Sequence, residues 1–156
     1  MILVTVGTHN KGFDRLIKPM DELCRTLNDH MLMQIGASNH EPQYAEFFRF
    51  TSSDHMQELS QQANIIVMHA GVGSIIMSLR AEKPIVLVPR LKRFGEVVDD
   101  HQLQIAYELE KHGKAVCVAT PTVETLRDAL NKAAKQKYKL AGAAQLTSAL
   151  RQEIRR

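Results

Sequence analysis

The sequence predicts an α/β domain, a parallel sheet with helices on both faces. Three observations carry that reading. Short apolar runs recur at 2–6, 31–35, 65–68, 85–88 and 115–118. Segments with helical periodicity separate most of them, and loops rich in glycine or polar residues follow three of the runs. A strand covered on both faces reads as a continuous apolar run, and alternation of such runs with helices makes the connections parallel crossovers.

The first run, within "MILVTVGTHN", ends at Gly7 and has no basic start. It is therefore expected to be a strand and not a signal peptide. Neither it nor any other stretch approaches the roughly 20 apolar residues of a membrane helix. A helix over about 14–29 follows, then the second run, then the polar stretch 37–45, the nearest thing to a linker. A short strand near 47–50 and a helix at 54–62 lead to "NIIVMHAGVGS". Past its glycines, Ile75, Ile76, Leu79 and Ala81 fit one face of a helix over 74–82, which puts Ser74 in the first turn. Helices at 100–112 and 122–135 flank the last run. After a break at Ala141 and Gly142, Leu146, Leu150 and Ile154 recur every four residues, which predicts an amphipathic helix at 143–155. That stripe either completes the domain's own core or meets a partner.

With 156 residues, 44% hydrophobic and 24% charged, the chain suits one domain over 1–156 and leaves no room for a second. Cys24 and Cys117 lie far apart in different elements and are expected to be buried thiols without a disulfide. The seven histidines are dispersed and never pair as His-x-x-x-His, so no metal site is assigned. The net charge of +3 is unevenly placed: residues 132–156 carry seven cations against Glu153, leaving −3 for the rest. Few aromatics and no nucleic-acid motif argue against nucleic acid, so an anionic membrane or an acidic protein surface fits this tail better.

In open parallel sheets, ligands bind beyond the carboxyl ends of the strands, where the notable loops fall. "HAGVGS" joins a strand to a helix start, an arrangement that gathers free backbone N–H groups and the positive end of a helix dipole at one spot. Gly71 and Gly73 are expected to admit a phosphate there, although tight strand-to-helix packing explains the same glycines. "GTHNKGF" is a second possible backbone cradle or a plain turn. It has neither the dinucleotide fingerprint nor a P-loop lysine followed by serine or threonine. His69 alone reads as structural, with no serine or cysteine nucleophile beside it. The third loop, "PRLKRFGEVVDDHQ", offers Arg90, Lys92 and Arg93 to offset a diphosphate, and carboxylate, imidazole and amide groups to bind sugar hydroxyls. Asp99 or Asp100 is the expected helix N-cap. Being adjacent, these two do not form a hydrolase pair across a glycosidic bond.

"VTVGTHNKGFDRLI", "HAGVGSIIMSLRAEKPIVLVPR" and "GEVVDDHQLQIAYELEKHGKA" together resemble the carboxyl-terminal, nucleotide-sugar-binding half of the glycosyltransferases of family 28. The likeness is greater to its stand-alone versions, the small subunits of the dolichol-linked UDP-GlcNAc transferase and of exopolysaccharide and capsule transferases. The resemblance covers about residues 1–118 and implies a single Rossmann-like domain, half of a GT-B enzyme. By position it gives Gly7, Thr8 and His9 to the loop facing the diphosphate, and His69, Ala70, Gly71, Gly73 and Ser74 to the nucleotide. His101 and Gln102 fall where relatives hold the donor sugar. Many relatives have a ribose-binding glutamate three residues after Ser74, but Met77 stands here, so either another group, Glu96 being the candidate, serves the ribose or nucleotide affinity is weak without a partner. What the resemblance further implies is inverting, metal-free transfer with no cofactor beyond the UDP-sugar donor. It also implies a membrane-associated partner subunit that binds a lipid-pyrophosphate-linked sugar, and a cytoplasmic, peripheral location at the inner face of the plasma membrane. A non-catalytic accessory protein and a free-standing nucleotide-binding regulatory domain are the competing readings.

Overall fold

The computed structural model describes residues 1–136 together with 148, 150 and 152. Its six strands are β1 (Ile2–Thr5), β2 (Met31–Gln34), β3 (Glu46–Phe48), β4 (Ile65–Met68), β5 (Ile85–Leu87) and β6 (Val116–Cys117). They form one parallel sheet in the order β3-β2-β1-β4-β5-β6. The helices are α1 (Asp14–Cys24), α2 (Ser53–Gln62), α3 (Val72–Arg80), α4 (His101–Lys111) and α5 (Val123–Lys135).

Alternation along each strand divides the core into two layers. Ile2 and Val4 pack with Leu16, Ile17 and Met20 of α1 and Leu126 and Leu130 of α5. Leu3, Ile66 and Met68 face the other way, onto Leu59 of α2, Ile75 of α3 and Ile105 and Leu109 of α4. Successive side chains of a strand point to opposite faces, so one four-residue run feeds both layers. That is why these runs show no polar alternation.

Helix starts follow local chemistry. Ser52 caps α2 by accepting from the His55 amide at 3.2 Å. Thr122 and Thr125 cap α5 reciprocally. The first helix is shorter than expected: it stops at Cys24 and not near 29, because Thr26 and Leu27 turn the chain back toward β2 through bonds to the Leu23 and Cys24 carbonyls. The polar stretch 37–45 is no loose linker. The buried Asp21 carboxylate accepts from the amides of Gln43, Tyr44 and Ala45 and pairs with His40. Burial alone would raise the pKa of Asp21, but these bonds hold it below its ordinary value.

Both cysteines are half-buried and unbridged, not fully buried as expected, and burial pushes the Cys117 thiol up to about 12, aided by Glu110. Most of the expected terminal helix lies outside the described residues. Ser148, Leu150 and Gln152 are helical, and Leu150 is buried in the layer that contains Leu3 and Ile105. At that position the stripe faces the domain's own core.

Candidate functional site

Strand order reverses between β1 and β4, and their registers run level, with Thr5 opposite both Gln34 and Met68. The chain leaves β1 for a helix on one face and β4 for a helix on the other, so a crevice opens between their loops.

The β1 loop is fastened by two side chains from distant segments. Gly7 has φ +77°, the left-handed region that favours glycine. The Gln34 amide oxygen accepts from Thr5 Oγ1 at 2.7 Å and from the Val6 and Gly7 amides at 3.1 Å each. Its nitrogen donates to the Gly7 and Arg49 carbonyls. From beneath, Arg90 donates to the Val6 and Gly12 carbonyls at 3.1 and 3.0 Å, with its guanidinium 4.6 Å from the Phe13 ring centre.

The β4 loop holds His69 between two glycines. A Cβ added at either Gly7 or Gly71 would overlap the imidazole ring. The ring is buried, its Nε2 lies 3.3 Å from Ser74 Oγ, and its Nδ1 has no protein partner. Burial first, then Arg90 and His9, pushes its pKa down to about 4, so the ring is neutral at physiological pH. The neighbouring imidazole is by itself enough to require glycine at position 71. Gly73 differs, because a Cβ there would meet nothing within 4 Å.

Gly71 is the N-cap of α3, which carries no side-chain cap and no acidic residue in its first turn. The first intrahelical bond runs from Ile75 to the Gly71 carbonyl, so the amides of Val72, Gly73 and Ser74 precede the helix's own acceptors. Two cavities meet here, sharing His9, Gly71 and Val72. The larger, about 720 Å³, lies toward α2 and α3 and includes Gly7, Thr8, Ser74 and Met77. The smaller, about 390 Å³, lies toward α4 and includes Ala70, Asp99, His101 and Gln102. Among the described residues no carboxylate lines the larger cavity, and Arg80 does. Burial, then Arg90 and Lys11, holds His9 below its ordinary pKa.

Several expected roles change. Arg90 is 1% exposed and bonded to backbone, so it acts on the crevice by charge from below and not by touching a diphosphate. Glu96 is also buried. It pairs with Arg15 at 2.9 Å and accepts from the Leu91 amide at 2.9 Å, so its carboxylate is committed to the loop and not open to a ribose. Gln102 uses its amide oxygen to accept from the Arg90 amide at 3.1 Å. Asp100 stands at the α4 N-cap without a capping bond, because its carboxylate accepts from the Lys92 amide, while Asp99 accepts from the His101 amide.

The glycosyltransferase family 28 C-terminal domain matches residues 1–154. The chain belongs to this family. It is 31% identical over 121 residues to the mouse UDP-N-acetylglucosamine transferase subunit ALG13, a match that covers 70% of this chain and 10% of the relative. Over 87 residues it is 32% identical to a UDP-N-acetylglucosamine–N-acetylmuramyl-(pentapeptide) pyrophosphoryl-undecaprenol N-acetylglucosamine transferase of Opitutus terrae, covering 56% of this chain and 22% of that one. Among solved structures, the glycosyltransferase of kitacinnamycin superposes with a TM-score of 0.69 at 26% identity, covering 99% of this chain and 38% of its own. Acinetobacter baumannii MurG gives 0.63 at 19%, covering 99% and 48%. The family 28 chain is therefore one Rossmann-like half of a GT-B glycosyltransferase fold, and it spans less than half the length of each of these proteins.

Proposed function

We propose that this chain is the donor-binding subunit of an inverting UDP-sugar glycosyltransferase and works with a second, membrane-associated polypeptide that holds the acceptor. The observation that carries the reading is the junction of the two cavities. An uncapped helix start and the β1 loop meet there, beside a larger cavity with no carboxylate among the described residues. A diphosphate at that junction receives the amides of Gly73 and Ser74 and the dipole of α3. The nucleoside then occupies the larger cavity, and the sugar occupies the smaller one beside His101 and Gln102.

In the reaction an acceptor hydroxyl attacks the anomeric carbon from the face opposite the diphosphate. The new carbon–oxygen bond forms as the bond to the β-phosphate oxygen breaks, UDP leaves, and the hydroxyl proton passes to a base. The α3 dipole and the charge of the buried Arg90 stabilise the departing diphosphate, which is the role a divalent metal has in other transferases. No residue of this chain is assigned as the base. The proposal expects a rate that persists in excess chelator.

The partner is supported by the word "subunit" in the name of the ALG13 relatives, and a lipid-pyrophosphate-linked acceptor by the name of the Opitutus terrae enzyme. Exopolysaccharide or capsule as the product rests on resemblance alone, as does placement at the inner face of the plasma membrane. Galactose and glucuronic acid both remain candidate donor sugars. Met77 in the larger cavity favours a second reading, an accessory protein that supports a partner carrying the complete site.

Calorimetric titration of UDP and UDP-sugars into the chain, and then into the chain with its partner, tests the proposal. Gly73→Val should abolish binding and Gln102→Ala should weaken UDP-sugar more than UDP. Equal affinity of Gly73→Val and wild type would refute the phosphate assignment. Binding only by the partner would establish the accessory reading.

A further inference from the structure

The proposed site divides at the α3 start, and its two sides differ in chemistry. The smaller cavity has a carboxylate, Asp99, beside His101 and Gln102, groups that suit a sugar's many hydroxyls. Among the described residues the larger one has neither aspartate nor glutamate, and α3 turns Ile76, Met77 and Arg80 toward it. Met77 lies about one helical turn, 5.4 Å, past the first-turn amides. That is about the span from a nucleotide's α-phosphate to its ribose hydroxyls.

We infer that the larger cavity does not read the ribose 2′-hydroxyl, so the donor class extends from uridine to 2′-deoxynucleoside diphosphate sugars, thymidine diphosphate sugars included. The inference rests on the proposed nucleotide site and concerns its specificity. A site rejects an analogue lacking a hydroxyl when a buried polar group was built to bind that hydroxyl and is left unpaired without it. The ribose end of this cavity offers a thioether and a branched aliphatic chain in that role. The polar groups opposite, Gln57 and Gln61 of α2, are exposed and keep water as an alternative partner. A neutral, solvent-accessible hydrogen bond of this kind discriminates by about tenfold at most. Arg80 adds positive charge, which favours the diphosphate equally for both sugars.

The decisive measurement is the affinity of the full-length chain for UDP, 2′-deoxy-UDP and thymidine diphosphate. UDP and 2′-deoxy-UDP differ only in the hydroxyl. Wild type should bind them within about threefold of each other, with thymidine diphosphate in the same range. Met77→Glu places a carboxylate where the hydroxyls lie and should raise the preference for UDP over 2′-deoxy-UDP to about tenfold or more. Circular dichroism verifies its fold, and Met77→Gln supplies a neutral acceptor if the glutamate variant does not fold. A wild-type preference for UDP above about tenfold overturns this inference and leaves the nucleotide site standing. A ratio unmoved in the folded Met77 variant overturns the placement of the ribose. Failure of all three nucleotides to bind at millimolar concentration overturns the nucleotide site itself.

Discussion

Gly71→Ala and Gly73→Ala, two residues apart, should move stability in opposite directions. Gly71 has φ −76° and ψ 132°, an extended conformation that alanine adopts without strain. The cost of Gly71→Ala therefore comes chiefly from its new methyl overlapping the His69 ring, which is walled on its other side by Gly7 and cannot move away. Overpacking of this kind costs about 1–3 kcal/mol. Gly73 is the second residue of α3, with open space where its Cβ would project. Alanine there should gain about 0.5–1 kcal/mol of helix stability. The two variants should thus lie about 1.5–4 kcal/mol apart, which for a chain of this size is roughly 3–16 °C in Tm. Thermal and urea denaturation followed by circular dichroism measure this directly. In a His69→Ala background the cost of Gly71→Ala should fall below about 0.5 kcal/mol, because the two residues form one packing unit. A Gly71→Ala protein as stable as wild type, or a cost that survives removal of the imidazole, would refute the packing account.

His69 sets an acid limit on the fold. With its pKa held at about 4 against an unfolded 6.5, unfolding takes up a proton between those values, so the stability is fully present above pH 6.5 and is lost as pH falls toward 4. The loss should reach about 3 kcal/mol, and urea midpoints at pH 4.5 and 7 should converge in His69→Asn. Arg90→Met leaves the Val6 and Gly12 carbonyls without their donor and should cost about 2–4 kcal/mol in urea unfolding. The same variant should raise the His69 pKa seen by NMR, since Arg90 is one of the groups lowering it. Leu150→Ala should destabilise the isolated chain by about 2–4 kcal/mol, and loss of a partner with unchanged stability would show instead that this residue serves an interface.

The layer architecture was legible because strands buried on both faces leave an unbroken apolar signature, and Ile65 to Met68 is such a run, buried throughout. The glycine loops were legible for a related reason, as few other contexts place two glycines between a strand and a helix. What each glycine accommodates was not legible. Whether the group beside Gly71 is a ligand or an imidazole depends on the direction taken by a side chain two residues earlier, which spacing does not encode. Arg90 and Glu96 misled in the same way. A charged residue in a loop reads as available, and only the packed structure reveals the backbone carbonyls and amide that claim it. Gln34 carried one faint signal, a lone amide within "MLMQI", which a buried strand tolerates only when that amide is bonded.

That glutamine has a kinetic consequence. The β1 loop is bonded to Gln34 and Arg90, 27 and 84 positions further along the chain, and packs on His69, so it cannot take its final shape until most of the sheet has assembled. Once formed, it cannot open one fastening at a time without stranding buried polar groups. The Gly7 amide, though it lies at the mouth of a crevice, should therefore exchange its proton for deuterium only on global unfolding, alongside the amides of the central strands. Ligand entering such a mouth meets a surface that has already lost its conformational freedom, so little of the binding free energy is needed to order it.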